Sequence, residues 1–209
     1  PLFLPEKRPF FLAGLGIFEF GARGTSQPFF SRRIGLDNEG APLPIWGGGK
    51  VYGRIGQLGL GAMNVITAEN AQQPAQSDSV ARAKYTFDGG STLGLLLTSR
   101  NGVSGNDSLH QHSFGVDGSL SLLGQRLELT AFADGTMDGN QENDLGSSAR
   151  ISVDYRGQVW QPGVSLLRID QRYAPALGFV RRQNIAQAEV ASQWTIRFKE
   201  SAVSRLLLN

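Results

Sequence analysis

Residues 80–87 read Val-Ala-Arg-Ala-Lys-Tyr-Thr-Phe. Ala81, Ala83, Tyr85 and Phe87 fall on one side of an extended chain. Val80, Arg82, Lys84 and Thr86 fall on the other, because successive strand side chains point to opposite faces. The same period recurs downstream. Residues 113–122 set Phe114, Val116, Leu120 and Leu122 against Ser113, Asp117, Ser119 and Ser121. Residues 126–134 set Leu127, Leu129, Ala131 and Ala133 against Arg126, Glu128, Thr130 and Asp134. Residues 150–156 and 187–198 alternate likewise, and weaker strands are expected at 29–36, 46–56, 58–67 and 91–100. The stretch 158–170 is strand-like but loses its alternation near Pro162. The pattern predicts about ten strands, each near the length a tilted strand needs to cross a bilayer.

The joints alternate in length. Gly56-Gln57, Asp88-Gly89-Gly90, Leu123-Gly124-Gln125 and Gly157-Gln158 suit tight hairpins, where Gly supplies a positive φ. Between them lie long polar stretches at 68–78, 101–110, 136–147 and 170–186. Short turns at one end and long loops at the other are the layout of an up-and-down barrel; in outer-membrane barrels the long loops are extracellular. A soluble sandwich shares the period, so the faces must discriminate. Here the apolar face is nearly free of charge and rich in Ala and Gly, as lipid demands, whereas a packed soluble core favours bulkier side chains. Tyr85, Phe87, Tyr155, Trp194 and Phe198 fall near strand ends, where an interfacial aromatic girdle belongs.

Composition narrows the choice further. The chain has 209 residues, 27 Gly, 9 Pro and no Cys, so disulfide scaffolds and thiolate metal sites are excluded. Its formal charge of +2 is no footprint for nucleic acid. No run reaches 18 apolar residues, so no transmembrane helix is expected. The opening PLFLPEKRPFFLAG lacks the basic and apolar regions of a signal peptide, and the closing ESAVSRLLLN lacks a cap or turn. Both ends therefore read as cuts in a longer chain.

Three segments carry a resemblance: FLPEKRPFFLAG (3–14), FFSRRIG (29–35) and PIWGGGKVYGRIG (44–56). With the VARAKYTF hairpin after them, and LGFVRRQNI at 177–185, the chain resembles the bacterial outer-membrane barrel domain of unknown function that follows a family-nine-like carbohydrate-binding module. The resemblance spans roughly residues 1–185. It implies a Gram-negative outer-membrane location, an upstream sugar-binding domain as partner, and carbohydrate as the material handled. It implies no reaction. The chain departs from the pattern at Ala13, where the family carries an acid, and after Phe198, where closing strands are not evident.

Arg outnumbers Lys sixteen to four. The inward face is expected to carry Lys50, Arg54, Arg82, Lys84, Arg100, Arg126, Arg150, Arg156 and Arg197, against Asp117, Glu128, Asp134, Asp154 and Glu189. Such a lumen either selects anionic or sugar-like solutes or is a ladder of paired charges across strands; the ladder is the favoured reading. Glu6, Lys7, Arg8, Phe10 and Phe11 lie in a lead-in segment, residues 1–28, expected to dock in the barrel mouth as a plug or rim. Glu6 and Arg8 are expected to meet lumen charges there, and Arg32 and Arg33 to take opposite faces of a strand. His110 and His112 share a face without a third ligand, and 138–144 lacks the Gly and Glu of a calcium loop, so no metal site is assigned. Gly47-Gly48-Gly49-Lys50 runs into a strand, which excludes a phosphate-binding loop, and no cofactor is assigned.

The resulting expectation is an all-β, antiparallel, up-and-down transmembrane barrel. Its strands fill 29–209 as part of a larger barrel, with outer-membrane lipid as partner and no nucleic acid. Its function is a non-enzymatic pore-like or scaffold component linked to carbohydrate. The alternatives are a carbohydrate-active hydrolase using lumen or loop carboxylates, and a soluble carbohydrate-binding sandwich.

Overall fold

A computed structural model describes residues 6–37, 39–71, 73–103, 110–139, 145–197 and 205–208. The chain opens with two single-turn helices, α1 (Pro9–Leu12) and α2 (Leu15–Phe18). A two-residue strand β1 (Ser26–Gln27) and a 3-10 turn (Ser31–Arg33) follow. Then comes a meander: β2 (Ile45–Ile55), β3 (Leu58–Thr67), β4 (Gln76–Thr86), β5 (Thr92–Gly102), β6 (His110–Leu122), β7 (Leu127–Asp138), β8 (Gly146–Tyr155) and β9 (Trp160–Ile169). The short β10 (Phe179–Val180) interrupts it before β11 (Ile185–Arg197) and β12 (Arg205–Leu208).

Ten of these strands form one antiparallel sheet in the order β12-β11-β9-β8-β7-β6-β5-β4-β3-β2. β1 and β10 pair separately. The fold is therefore all-β and up-and-down, as the period-two pattern predicts. Among the described residues the sheet is open: β2 and β12 are its two ends and do not pair with each other. Nine predicted segments each hold a strand, and the hairpin joints fall where expected. Gly56 turns the β2–β3 hairpin at φ +58°, and the β6–β7 joint puts Leu123, Gly124 and Gln125 in succession at positive φ.

The expected strand at 29–36 is not one. Phe29 and Ile34 are both buried in the same core. Five residues apart, they would lie on opposite faces of a strand. The 3-10 turn at Ser31–Arg33, capped by the Ile34 N–H donating to the Ser31 carbonyl, brings both inward. Arg32 and Arg33 accordingly sit in that turn and not on two strand faces. The sheet begins at Ile45, so the lead-in runs well past residue 28.

The two faces of the sheet differ in cover and in polarity. One face is covered by the lead-in segment and by the β9–β11 connection. Its core joins Phe11, Phe18, Phe20, Phe29 and Ile34 to Met63, Val65, Val80, Leu96 and Phe132 on the sheet. Around that core the same face buries Asp78, Arg82, Thr98, Arg100, Ser113, Asp134, Thr136, Ser148 and Ser152. The other face is bare and apolar. Leu93, Leu95 and Leu97 on β5, Phe114, Val116, Leu120 and Leu122 on β6, Ile151 and Val153 on β8, and Val164 and Leu166 on β9 are all exposed.

Candidate functional site in the covered polar face

The covered face is built from one set of alternate strand positions, with room made for the lead-in segment. An added Cβ at Gly61 would lie 2.8 Å from Phe18 Cζ, and one at Gly115 would lie 2.5 Å from Phe20 Cζ. Phe18 stacks toward Phe29 at 6.0 Å, and Phe20 meets Phe132 edge-on at 5.8 Å. Both rings thus enter notches that any side chain larger than hydrogen would close.

Arg82 ties the lead-in segment to the sheet. Its side chain is fully buried; Nη2 donates to Asp117 Oδ2 at 2.7 Å. Its Nε and Nη2 reach the Ile17 and Glu19 carbonyls at 3.3 and 3.4 Å, and the guanidinium lies 5.3 Å from the Phe20 ring centre. Arg100 makes a bidentate pair with Asp78, at 2.7 and 2.9 Å, and also donates to the Arg33 carbonyl at 3.3 Å. Burial, and then the charge of Arg100, lower the Arg33 pKa. Lys50 donates to the Phe10 and Ala13 carbonyls, and its ammonium lies 5.1 Å from the Phe10 ring centre. Arg82 and Arg100 each hold an acid of the sheet and, with Lys50, bond carbonyls of the lead-in segment.

Glu6 and Arg8 do not meet lumen charges. They pair with each other at 2.8 Å. Arg8 donates to the Ile34 and Ser31 carbonyls at 2.9 and 2.8 Å, and Ser31 Oγ donates to Glu6 Oε2 at 2.7 Å. The reason is local: the 3-10 turn presents the Ser31 and Ile34 carbonyls side by side, and a planar guanidinium bonds both at once, using the second lone pair of the Ser31 oxygen. The two segments EKRPFF and SRRIG are thereby brought into contact. Burial alone would raise the Glu6 pKa, but hydrogen bonds from Arg8 and Ser31, with the charge of Arg8, bring it down to about 2. Phe11 is buried under Arg8, whose guanidinium stacks 4.0 Å above its ring. Phe10 stays exposed, as does Lys7.

The other end is closed by a segment that the sequence presents only as a polar loop. Between β9 and β11 the chain folds inward and buries Tyr173 and Leu177 completely. Tyr173 donates to the Asp134 carboxylate, and the Ala174 N–H donates to Thr136 Oγ1 at 3.2 Å. Burial and the adjacent Asp134 raise the Tyr173 pKa, so its hydroxyl stays a donor. The loop also holds the lead-in: β10 pairs with β1, and Phe30 N–H donates to the Leu177 carbonyl at 2.6 Å, while β8 adds a contact of its own, the Ser26 and Ser148 hydroxyls meeting at 2.9 Å. Only a Tyr among polar residues and the LGFV run hinted at this.

The remaining candidates divide by position. Arg54 donates to Thr86 Oγ1 at 3.2 Å. Lys84 lies on the inward side of β4, opposite Gly94. Arg126 sits in the β6–β7 turn, fully at the rim, and Arg156 lies just beyond β8 and pairs with Glu128. Glu128 and Asp154 are direct cross-strand partners on the inward side, lining one cleft of about 650 Å³ with Arg156. Arg150 donates to Ser165 Oγ at 3.2 Å. His110 and His112 are both outward, and His110 Nδ1 lies 3.2 Å from Asn101 Oδ1. The calcium-like loop lies largely outside the described residues. Asp78, which pairs with Arg100, was hidden in the stretch expected to be a loop. No protein-family model, curated protein or solved structure matches the chain.

Proposed function

We propose that the chain is a wall segment of a bacterial outer-membrane β-barrel, with lipid against its bare face and a built-in plug against its polar face. The observation that carries this reading is the inverted polarity: buried Asp78, Arg82 and Arg100 on one side, exposed Leu93, Leu95 and Leu97 on the other. A soluble sandwich would bury the second set and wet the first. The band has a suitable height. The eight steps from Phe114 to Leu122, at ~3.4 Å each and a barrel tilt of ~40°, rise ~21 Å, near the ~25 Å apolar band of outer-membrane barrels. Aromatic pairs border the band at the hairpin end: Tyr85 with Phe87, and Trp160 stacked on Trp194 at 5.7 Å. At the long-loop end the outward face turns polar, with Ser77, Ser79, Ser99 and His112.

In this reading the protein is a non-enzymatic, pore-like or scaffold component, its lumen occupied by its own lead-in. Closing the wall requires more strands than the open sheet supplies, because a bare strand edge in lipid leaves backbone groups unpaired. The link to carbohydrate, and to an upstream sugar-binding domain, rests on the EKRPFF, SRRIG and GGGKVYGRIG resemblance alone. The test is fractionation of the longest natural chain, followed by electrophoresis with and without heating. Recovery in the outer-membrane fraction with faster migration unheated is expected; recovery as a water-soluble protein would overturn the assignment.

One observation favours a hydrolase as the second reading. Glu128 and Asp154 face each other across β7 and β8 in an open cleft. Directly opposed residues have Cβ atoms ~5 Å apart, which suits a carboxylate pair of a glycosidase. Arg156 binds Glu128, however, as it would in a structural ladder. Release of reducing ends from an aryl glycoside that vanishes in both Glu128→Gln and Asp154→Asn would establish this reading in place of the first.

A further inference from the structure

Four guanidinium groups are used up. Arg8, Arg82, Arg100 and Arg156 each hold a carboxylate. Three others come together without one. Arg150, Arg181 and Arg182 line a single polar cleft of about 630 Å³ with Ser165, Gln187 and Glu189. Its one carboxylate is bonded within the cleft to neutral groups: Glu189 Oε1 accepts from Gln187 Nε2 at 2.6 Å and Oε2 from Ser165 Oγ at 3.3 Å. Among the described residues no ion pair joins any of these three arginines to an acid.

The display is built by the backbone. β10 is pinned to β1, and the Arg181 N–H donates to the Thr25 carbonyl at 2.9 Å. Asn184, at φ +54°, turns the chain back into β11, which carries Gln187 and Glu189. Arg150 is aimed from the opposite strand and oriented by Ser165. Three planar donors, two of them exposed, thus converge with hydroxyl and amide groups at the long-loop end of the covered face. Guanidinium forks bind carboxylate and phosphate oxygens in pairs, and a cleft of this size falls in the range of small-molecule sites.

We propose that this cleft is a binding site for a small, soluble, hydroxyl-bearing anion carrying a carboxylate or phosphate group. The proposal deepens the barrel reading by giving its lumen a solute class, yet it depends only on the local geometry of β8, β9, β10 and β11. The experiment is calorimetric titration of the full chain, in detergent or in plain buffer according to how it partitions, with glucuronate, inorganic phosphate and neutral glucose. Saturable binding of glucuronate or phosphate is expected, with none of glucose. The anion that binds identifies which group is read. Arg150→Gln and the double variant Arg181→Gln/Arg182→Gln should each weaken binding roughly tenfold or more, since each removes a charge-assisted hydrogen bond. Arg181 and Arg182 are exposed, so the double variant keeps the fold. Arg54→Gln, outside the cleft, should bind like the parent. No saturation by either anion up to about 10 mM, equal binding of glucose, or undiminished binding by the double variant would overturn the proposal. Failure of membrane partition would leave these outcomes unchanged, so the two readings fail separately.

Discussion

At the scale of single residues, the covered face runs on desolvated ion pairs. The side chains of Arg100 and Asp78 are 3% and 0% exposed. Neither charge has water to return to if its partner is removed. Truncating one member of such a pair costs about 3–5 kcal/mol, largely from the charge left behind, while replacing both with apolar groups is often nearly neutral. Asp78→Ala and Arg100→Ala should therefore each destabilise by several kcal/mol. An Asp78→Leu/Arg100→Met double variant should recover most of that loss. Reversible urea unfolding of the three proteins measures it, and additive losses would show the pair to be uncoupled. The inward glycines belong to this scale too. Gly61 and Gly115 are unremarkable in a strand pattern, and only the plug rings resting in their notches explain them.

At the scale of the element, the lead-in segment is fastened at its start by the Glu6–Arg8–Ser31 cluster. Because the folded Glu6 pKa lies near 2 and its ordinary value is 4.5, the cluster stabilises docking fully above 4.5. That contribution is lost as the pH falls from 4.5 toward 2, because the folded state must then take up a proton it resists. Amide exchange at Arg8, Phe11 and Ile34, taken relative to the intrinsic rate at each pH, should accelerate across that window. In Glu6→Gln it should already be faster at neutral pH and should lack the Glu6-dependent step. A profile in Glu6→Gln identical to the parent's would show that the acid does not hold the plug. The β9–β11 connection is the second fastening, acting through Tyr173 and the β1–β10 pair.

At the scale of the whole molecule, the solvent of the bare face decides the reading. Leu95 lies mid-strand on β5, outward and 56% exposed. An arginine there would cost about 2–4 kcal/mol if the side chain faces the lipid midplane. On a watery surface the same change stays within about 0.5 kcal/mol. Leu95→Arg should thus lose stability strongly in liposomes, whereas His112→Arg, near the polar border, should lose little. Equal, negligible effects at both sites would place the face in water.

The alternation of Ala81, Ala83 and Tyr85 with Arg82 and Lys84 was enough to set the strand, its faces and its antiparallel neighbours, because side-chain direction in a strand follows from backbone geometry alone. Gly56 and Leu123-Gly124-Gln125 likewise announced their hairpins, since tight turns need positive φ. The placement of Arg82 and Asp117 on one face was legible for the same reason; their use as a clamp on the Ile17 and Glu19 carbonyls was not. Contacts of that kind join positions some sixty residues apart in sequence, and no local pattern records them. The strand expected at 29–36 failed because burial of both Phe29 and Ile34 outweighed local alternation. The inward fold of Tyr173 and the convergence of Arg150 with Arg181 and Arg182 also belong to tertiary structure. So does the open sheet: strand period fixes which way each side chain points, while only long-range pairing decides whether a sheet closes and what fills it.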